Sequence, residues 1–146
     1  DPILTEEIEA FENHLDEVLA PLHEACQGRY PRVLIGSSGS FDTLAQMCVE
    51  NFQSSSWDAE DSSYTFVMHE YMQMSQRMIK STFEERLETP GMIPMRADMM
   101  VMACLEINYI IKRFGVRLLQ QCNFALKEGL LASLQTPDHS WQRSSL

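Results

Sequence analysis

VLIGSSGSFDTLAQM, residues 33–47, runs from a short apolar burst through two glycines and three serines into a helix-like pattern. Val33-Leu34-Ile35, bounded by Pro31 and Gly36, is too short for a helix and reads as a buried strand. From Ser40, apolar Phe41, Leu44, Ala45, Met47, Cys48 and Phe52 recur at helical spacing. A strand that breaks on a Gly/Ser loop and feeds a helix leaves unpaired N–H groups at the helix start, where an anion fits. Asp42 falls in that first turn, and its carboxylate would satisfy the same donors and the same dipole. The stretch is therefore either a phosphate-facing loop or a tight turn with Ser40 as N-cap.

Outward from it, the pattern is mostly helical. Upstream, Thr5 followed by Glu6 and Glu7 marks an N-cap, and Ile8, Phe11, Leu15, Val18, Leu19 and Leu22 form an apolar stripe that Pro21 and Gly28 bring to an end. Downstream, SSSWDAEDSS, residues 54–63, reads as a polar, acidic loop pinned by Trp57. Tyr64 and Phe66 give a brief extended start to a helix ending near Lys80. Ser81 or Thr82 caps a short helix that Thr89-Pro90-Gly91 terminates. Pro94 opens a long helix to Phe114, apolar on nearly every side and hence central, with Gly115 as its stop. Val116–Cys122 supplies a second strand, Ala125–Leu134 a last helix, and residues 135–146 a polar tail. Two strands so far apart suggest a parallel pair joined by a long crossover and wanting further neighbours.

With 146 residues, 45 % of them hydrophobic, the chain makes one domain with a real core. Eleven basic against twenty-one acidic residues give a formal charge of -10, which speaks against nucleic-acid or acidic-membrane binding. No apolar run is long enough to span a membrane. Cys26, Cys48, Cys104 and Cys122 lack metal-ligand spacing and read as reduced thiols of a cytoplasmic protein. His14, His23, His69 and His139 are scattered and make no metal site, so no metal ligand is assigned. The ten methionines read as core filler. The first residue is not methionine, which suggests a processed product or a piece of something longer.

Chemistry concentrates in three places. Gly36-Ser37-Ser38-Gly39-Ser40 lacks the Lys-Ser/Thr pair of a Walker A motif and the third glycine of a dinucleotide loop. Arg96 and Asp98 stand at the entrance of the long helix, where Asp98 suits a dipole-satisfying cap and the Arg96 fork could grip a carboxylate or a phosphate. Lys127 and Glu128 lie in the first turn of the last helix, where a lysine is disfavoured by the dipole.

In this order, VLIGSSGSFDTLAQM, GMIPMRADMMVMACLEI and CNFALKEGLL resemble segments of the exopolyphosphatase and guanosine pentaphosphate phosphohydrolase (Ppx/GppA) family, within the actin-like ATPase superfamily. The family's second lobe has a strand running into a Gly-Gly-Thr loop, then a proline followed by Arg-Ala-Asp opening an apolar helix, then an Arg-Glu-Gly turn. Gly39 and Ser40 stand at its second Gly and its Thr, with Ser38 in place of the first Gly. Arg96 and Asp98 match its Arg and Asp; Lys127, Glu128 and Gly129 match its Arg-Glu-Gly. The resemblance implies a helix-rich α/β chain, a partial actin-like (ribonuclease H-like) lobe with about two parallel strands and five to six helices. Residues 1–134 would be the C-terminal portion of the second lobe. It implies phosphate contacts from Gly36, Ser37, Ser38, Gly39, Ser40, Arg96 and Lys127, with no catalytic residue in this stretch. The longer parent would use Mg2+ to hydrolyse polyphosphate or guanosine pentaphosphate in a cleft shared with an N-terminal lobe, and this chain alone would be inactive. The rival expectation is a non-catalytic module that binds a protein partner or its own copy as a homodimer.

Overall fold

The computed structural model describes residues 1–52, 57 and 61–135. In chain order the elements are α1 (Thr5–Val18), α2 (Ala20–Ala25), β1 (Val33–Ser37), α3 (Ser40–Asn51), β2 (Ser63–Thr65), α4 (Met68–Lys80), α5 (Phe83–Leu87), a 3-10 turn (Pro94–Arg96), α6 (Met99–Phe114), β3 (Leu118–Cys122) and α7 (Leu126–Gln135). The chain is thus helix-rich α/β, with β1 and β3 parallel as expected. The brief extended start at Tyr64 is itself a strand, β2, pairing antiparallel with β3 to give the order β1-β3-β2.

Local signals explain most boundaries. Leu4, one residue before the expected Thr5, caps α1, and its N–H donates to the Glu7 carboxylate at 2.8 Å. Pro21 interrupts the first helical run, as its place in the stripe implies. It opens α2 after a break at Leu19, since proline removes one N–H and crowds the carbonyl four residues back. Thr82 caps α5: the Glu85 N–H donates to its hydroxyl, and the Thr82 N–H donates to the Glu85 carboxylate. Gly115, at φ 68°, ends α6 in the left-handed conformation a residue with a Cβ resists.

The strand reading needs correction. Leu34 and Gly36 face inward with fully buried Leu119 and Gln121, whereas Val33 (40 % exposed) and Ile35 (61 %) point to an open face. An unbroken Val-Leu-Ile run suits a strand covered on both sides, but the core helices α3, α4 and α6 cover only one. That core holds Leu44, Met47, Tyr71, Met74, Met78, Met100, Cys104 and Leu119. The methionines divide: Met47, Met74, Met78 and Met100 are fully buried, while Met72, Met95, Met99 and Met102 are exposed. Trp57 packs on Tyr64, with ring centroids 6.1 Å apart, but the rest of its loop at 53–56 and 58–60 lies outside the described residues, as does the tail from 136. Among the described residues no helix is long and apolar enough to cross a membrane.

All four cysteines are free thiols. Burial pushes the Cys48 and Cys104 thiols up to about 12 from 9.0. In native protein at pH 8, iodoacetamide is expected to alkylate partly exposed Cys26 and Cys122 and to spare Cys48 and Cys104, as peptide mass mapping would show. The same shift fixes a pH dependence. Below pH 9 the thiols are protonated folded or unfolded; above it only the unfolded state ionises, so stability declines from about pH 9 towards 12.

Candidate functional site

Parallel pairing places Ser37 opposite Cys122, so the turn after β1 and the turn after β3 share one rim of the sheet. In open sheets the carboxyl ends of parallel strands are where ligands collect. At this rim Ser38 (φ 62°) and Gly39 (φ 58°) both take positive φ. For Ser38 that conformation costs roughly 1–2 kcal/mol, because its Cβ crowds the backbone. Gly39 is the N-cap of α3 and has no side chain to cap with; Ser40, expected in that role, is the first helical residue.

Asp42 does not act as a cap either. Its hydrogen bond comes from the Gln121 amide at 2.9 Å, which turns the carboxylate towards β3. The same Gln121 nitrogen donates to Asn123 at 2.7 Å, and the Asn123 N–H donates to the Ser62 carbonyl at 2.9 Å. A polar chain, buried at Gln121 and open to solvent at Asn123, therefore links α3, the end of β3 and the start of β2. Gln121 is fully buried and its other amide atom, Oε1, has no hydrogen-bond partner among the described residues. Asp42 sits at the helix start as the sequence suggests, yet the donors it was expected to satisfy are left to others.

Arg96 reaches this loop from the 3-10 turn. A Cβ built on Gly39 would lie 3.1 Å from Arg96 Nη1, so the guanidinium rests directly over the glycine. Among the described residues no carboxylate pairs with it. An open cavity of about 480 Å³ lies here, lined by Ser37, Ser38, Gly39, Ser40, Phe41 and Arg96, with apolar Leu34, Met99, Ala103, Ile107 and Ile110 below. Glu106 brings a carboxylate into the same cavity and had drawn no attention in the sequence.

Two proposed contacts fall outside this cavity. Gly36 is a packing glycine: a Cβ there would meet the Phe41 ring at 2.1 Å. Lys127 follows β3 on the same rim, but its side chain is 81 % exposed and lies 3.4 Å from Glu128. Glu128 accepts from the Ala125 N–H at 2.9 Å, and that bond holds its carboxyl below the usual carboxylate range, with Lys127 assisting. Asp98 is exposed at the start of α6 and accepts no capping hydrogen bond there. Among the described residues no three His, Cys, Asp or Glu side chains are grouped to hold a metal ion.

The fold matches proteins of known structure. An exopolyphosphatase from Cytophaga hutchinsonii is 34 % identical with a TM-score of 0.84, covering 92 % of this chain and 43 % of that one. The Ppx/GppA family member of Aquifex aeolicus gives a TM-score of 0.74 at 19 % identity over 96 % of this chain and 44 % of that one. A type II variant of the Aquifex aeolicus phosphatase scores the same at 18 % identity, covering 91 % and 42 %. The chain thus spans less than half the length of these structures. No curated protein matches it. A sequence model of the Ppx/GppA phosphatase family matches residues 1–137, the glycine loop, the Arg96 turn and the last helix all included, and the chain belongs to that family.

Proposed function

We propose that this chain forms one wall of the phosphate-binding cleft of a phosphoanhydride hydrolase acting on polyphosphate or guanosine pentaphosphate. The observation that carries the reading is the Arg96 guanidinium over Gly39, without a carboxylate partner among the described residues, at the open N-terminus of α3. A phosphate there would meet a planar cationic fork and a helix start whose dipole favours negative charge. The main-chain approach is close because Gly39 has no Cβ, and Ser37, Ser38 and Ser40 border the same space.

The chain spans 43 % of its exopolyphosphatase relative. On this reading the catalytic base and the Mg2+ ligands would belong to other parts of a longer parent. An N-terminal lobe would close the cleft opposite Arg96, and further parts of the second lobe would cover Val33 and Ile35. Alone the chain would bind phosphate without hydrolysing it. Four free cysteines suit the reducing cytoplasm.

Titration with tripolyphosphate is expected to shift the amide resonances of Ser38, Gly39 and Ser40 in an NMR spectrum. Arg96→Ala should weaken that response by about 10- to 100-fold, the loss of a charge-assisted hydrogen bond worth about 1.5–3 kcal/mol. Unchanged loop amides in the wild type would sink the reading. A second reading, a self-associating module, is favoured by Leu126 (90 % exposed) and Leu134 (71 %) on α7 together with Ile35. It requires a dimer in sedimentation, and a monomer at high micromolar concentration rules it out.

A further inference from the structure

Five of the eleven lysines and arginines gather in one open cavity of about 680 Å³, at the end of the sheet opposite the glycine loop. Arg29 and Arg32 lead into β1, Lys112 and Arg113 end α6, and Arg117 precedes β3. The backbone binds these segments together, for the N–H groups of Arg117 and Leu118 both donate to the Arg32 carbonyl, at 2.8 and 3.0 Å.

Helix dipole explains only part of the cluster. Lys112 and Arg113 sit in the last turn of α6, where cations are favoured, but Arg29, Arg32 and Arg117 lie outside any helix. Of the five, only Arg113 has a carboxylate partner among the described residues, Asp16 at 3.7 Å. Among the described residues no Asp or Glu lines the cavity, although the chain carries twenty-one of them. Like charges held in one concavity repel, and an acidic chain had ample means of neutralising them. The absence of lining acids leaves that task to an anion from outside.

We propose that this cavity binds a condensed phosphate chain, inorganic or nucleotide-borne, at a site separate from the glycine loop. Guanidinium forks match phosphate oxygens two at a time, and a short phosphate chain places several charges in a space of this size. A long nucleic acid would overrun the cavity onto a surface of opposite preference, since the chain as a whole carries -10. The two sites are separated by the five residues of β1. At about 3.3 Å per residue that is roughly 17 Å. This is about two screening lengths at physiological salt, so each site responds to its own cations.

The test is an NMR titration of the 146-residue chain with tripolyphosphate at near-physiological salt. Amides of Arg32, Gly115 and Arg117 are expected to shift. Arg32→Gln/Arg117→Gln should weaken that response about tenfold per arginine, or ~1.4 kcal/mol each. Arg96→Ala should leave it intact, so failure at the glycine loop does not entail failure here. Both replaced side chains are exposed, and Lys112→Gln gives a second variant outside the strand-flanking loops. Equal affinity for tripolyphosphate and GTP assigns the site to the phosphate chain itself; tighter GTP binding that Tyr30→Ala removes assigns it to nucleotides. Silent amides with both compounds, or a response unaltered in the double variant and in Lys112→Gln, would overturn the proposal.

Discussion

Arg86→Ala is expected to lower the unfolding free energy by about 2–5 kcal/mol, as when the donor to two buried carbonyls is removed at about 1–3 kcal/mol each. Arg86 is 3 % exposed. Its guanidinium donates to the Ala97 carbonyl at 2.9 Å and the Ser81 carbonyl at 2.6 Å. It also takes both Asp1 carboxylate oxygens, at 3.2 and 2.9 Å. Alanine would strand two carbonyls, whereas the Asp1 carboxylate, 40 % exposed, turns to water; each buried acceptor left without a donor carries its own desolvation penalty. Arg86→Lys keeps the charge, but a single ammonium lacks the fork that meets all these acceptors, and it should recover less than half of the loss. Urea denaturation supplies both values, and a loss below about 1 kcal/mol for alanine would refute the assignment. Because Ala97 follows Arg96 directly, the same contact sets the turn that aims Arg96 at Gly39.

Gly91→Ala should be comparably damaging for a different reason. Gly91 has φ +82°, and a Cβ there would lie 2.7 Å from Met47 N and 2.8 Å from Gln46 C and Met47 Cα. These are backbone atoms inside α3, so no rotamer change relieves the clash. The Asn51 amide ties the two segments further, donating to the Met47 carbonyl at 2.8 Å and the Pro90 carbonyl at 3.0 Å. Left-handed strain of roughly 1–2 kcal/mol and overpacking of roughly 1–3 kcal/mol together give about 2–5 kcal/mol. Gly28→Ala is the control. Its φ is +77° with nothing within 4 Å of the added carbon, so only the conformational part remains, about 1–2 kcal/mol. Thermal or urea unfolding of the pair separates the two contributions, and equal losses would show that the contact with α3 carries no weight.

Much of this architecture can be read from residue order. Gly115 stops the long helix and Thr82 caps α5, because these signals act within a few residues of themselves. Pro94 does not open that helix: it starts a separate 3-10 turn, Pro94–Arg96, and α6 begins only at Met99. The burial of β1 cannot be read that way. Val33-Leu34-Ile35 looks alike whether helices cover one face or two, and only tertiary packing decides which. At the site, the positive-φ turn at Gly39 is announced by the Gly/Ser run, and Arg96 by its place at a helix entrance. Their meeting is not announced, since it depends on α5 and the Gly91 turn docking on α3. Gln121 escapes for another reason: a polar residue in a strand usually faces water, and here it takes the inward position beside Leu119. A glutamine alternating with leucine on the inner face is the signal that was there to find.

The Phe41 ring fills the space where a Cβ of Gly36 would stand and meets Phe66 edge-on, with centroids 6.3 Å apart. The loop between Gly36 and Phe41 is thereby closed on itself by apolar packing, before any ligand arrives. Ordering a flexible segment opposes association, because each fixed residue gives up backbone freedom worth about 1–2 kcal/mol. Here that loss falls on folding. An anion reaching Gly39 would find donors already in position, and its affinity would turn on the water stripped from Arg96 and from the anion itself.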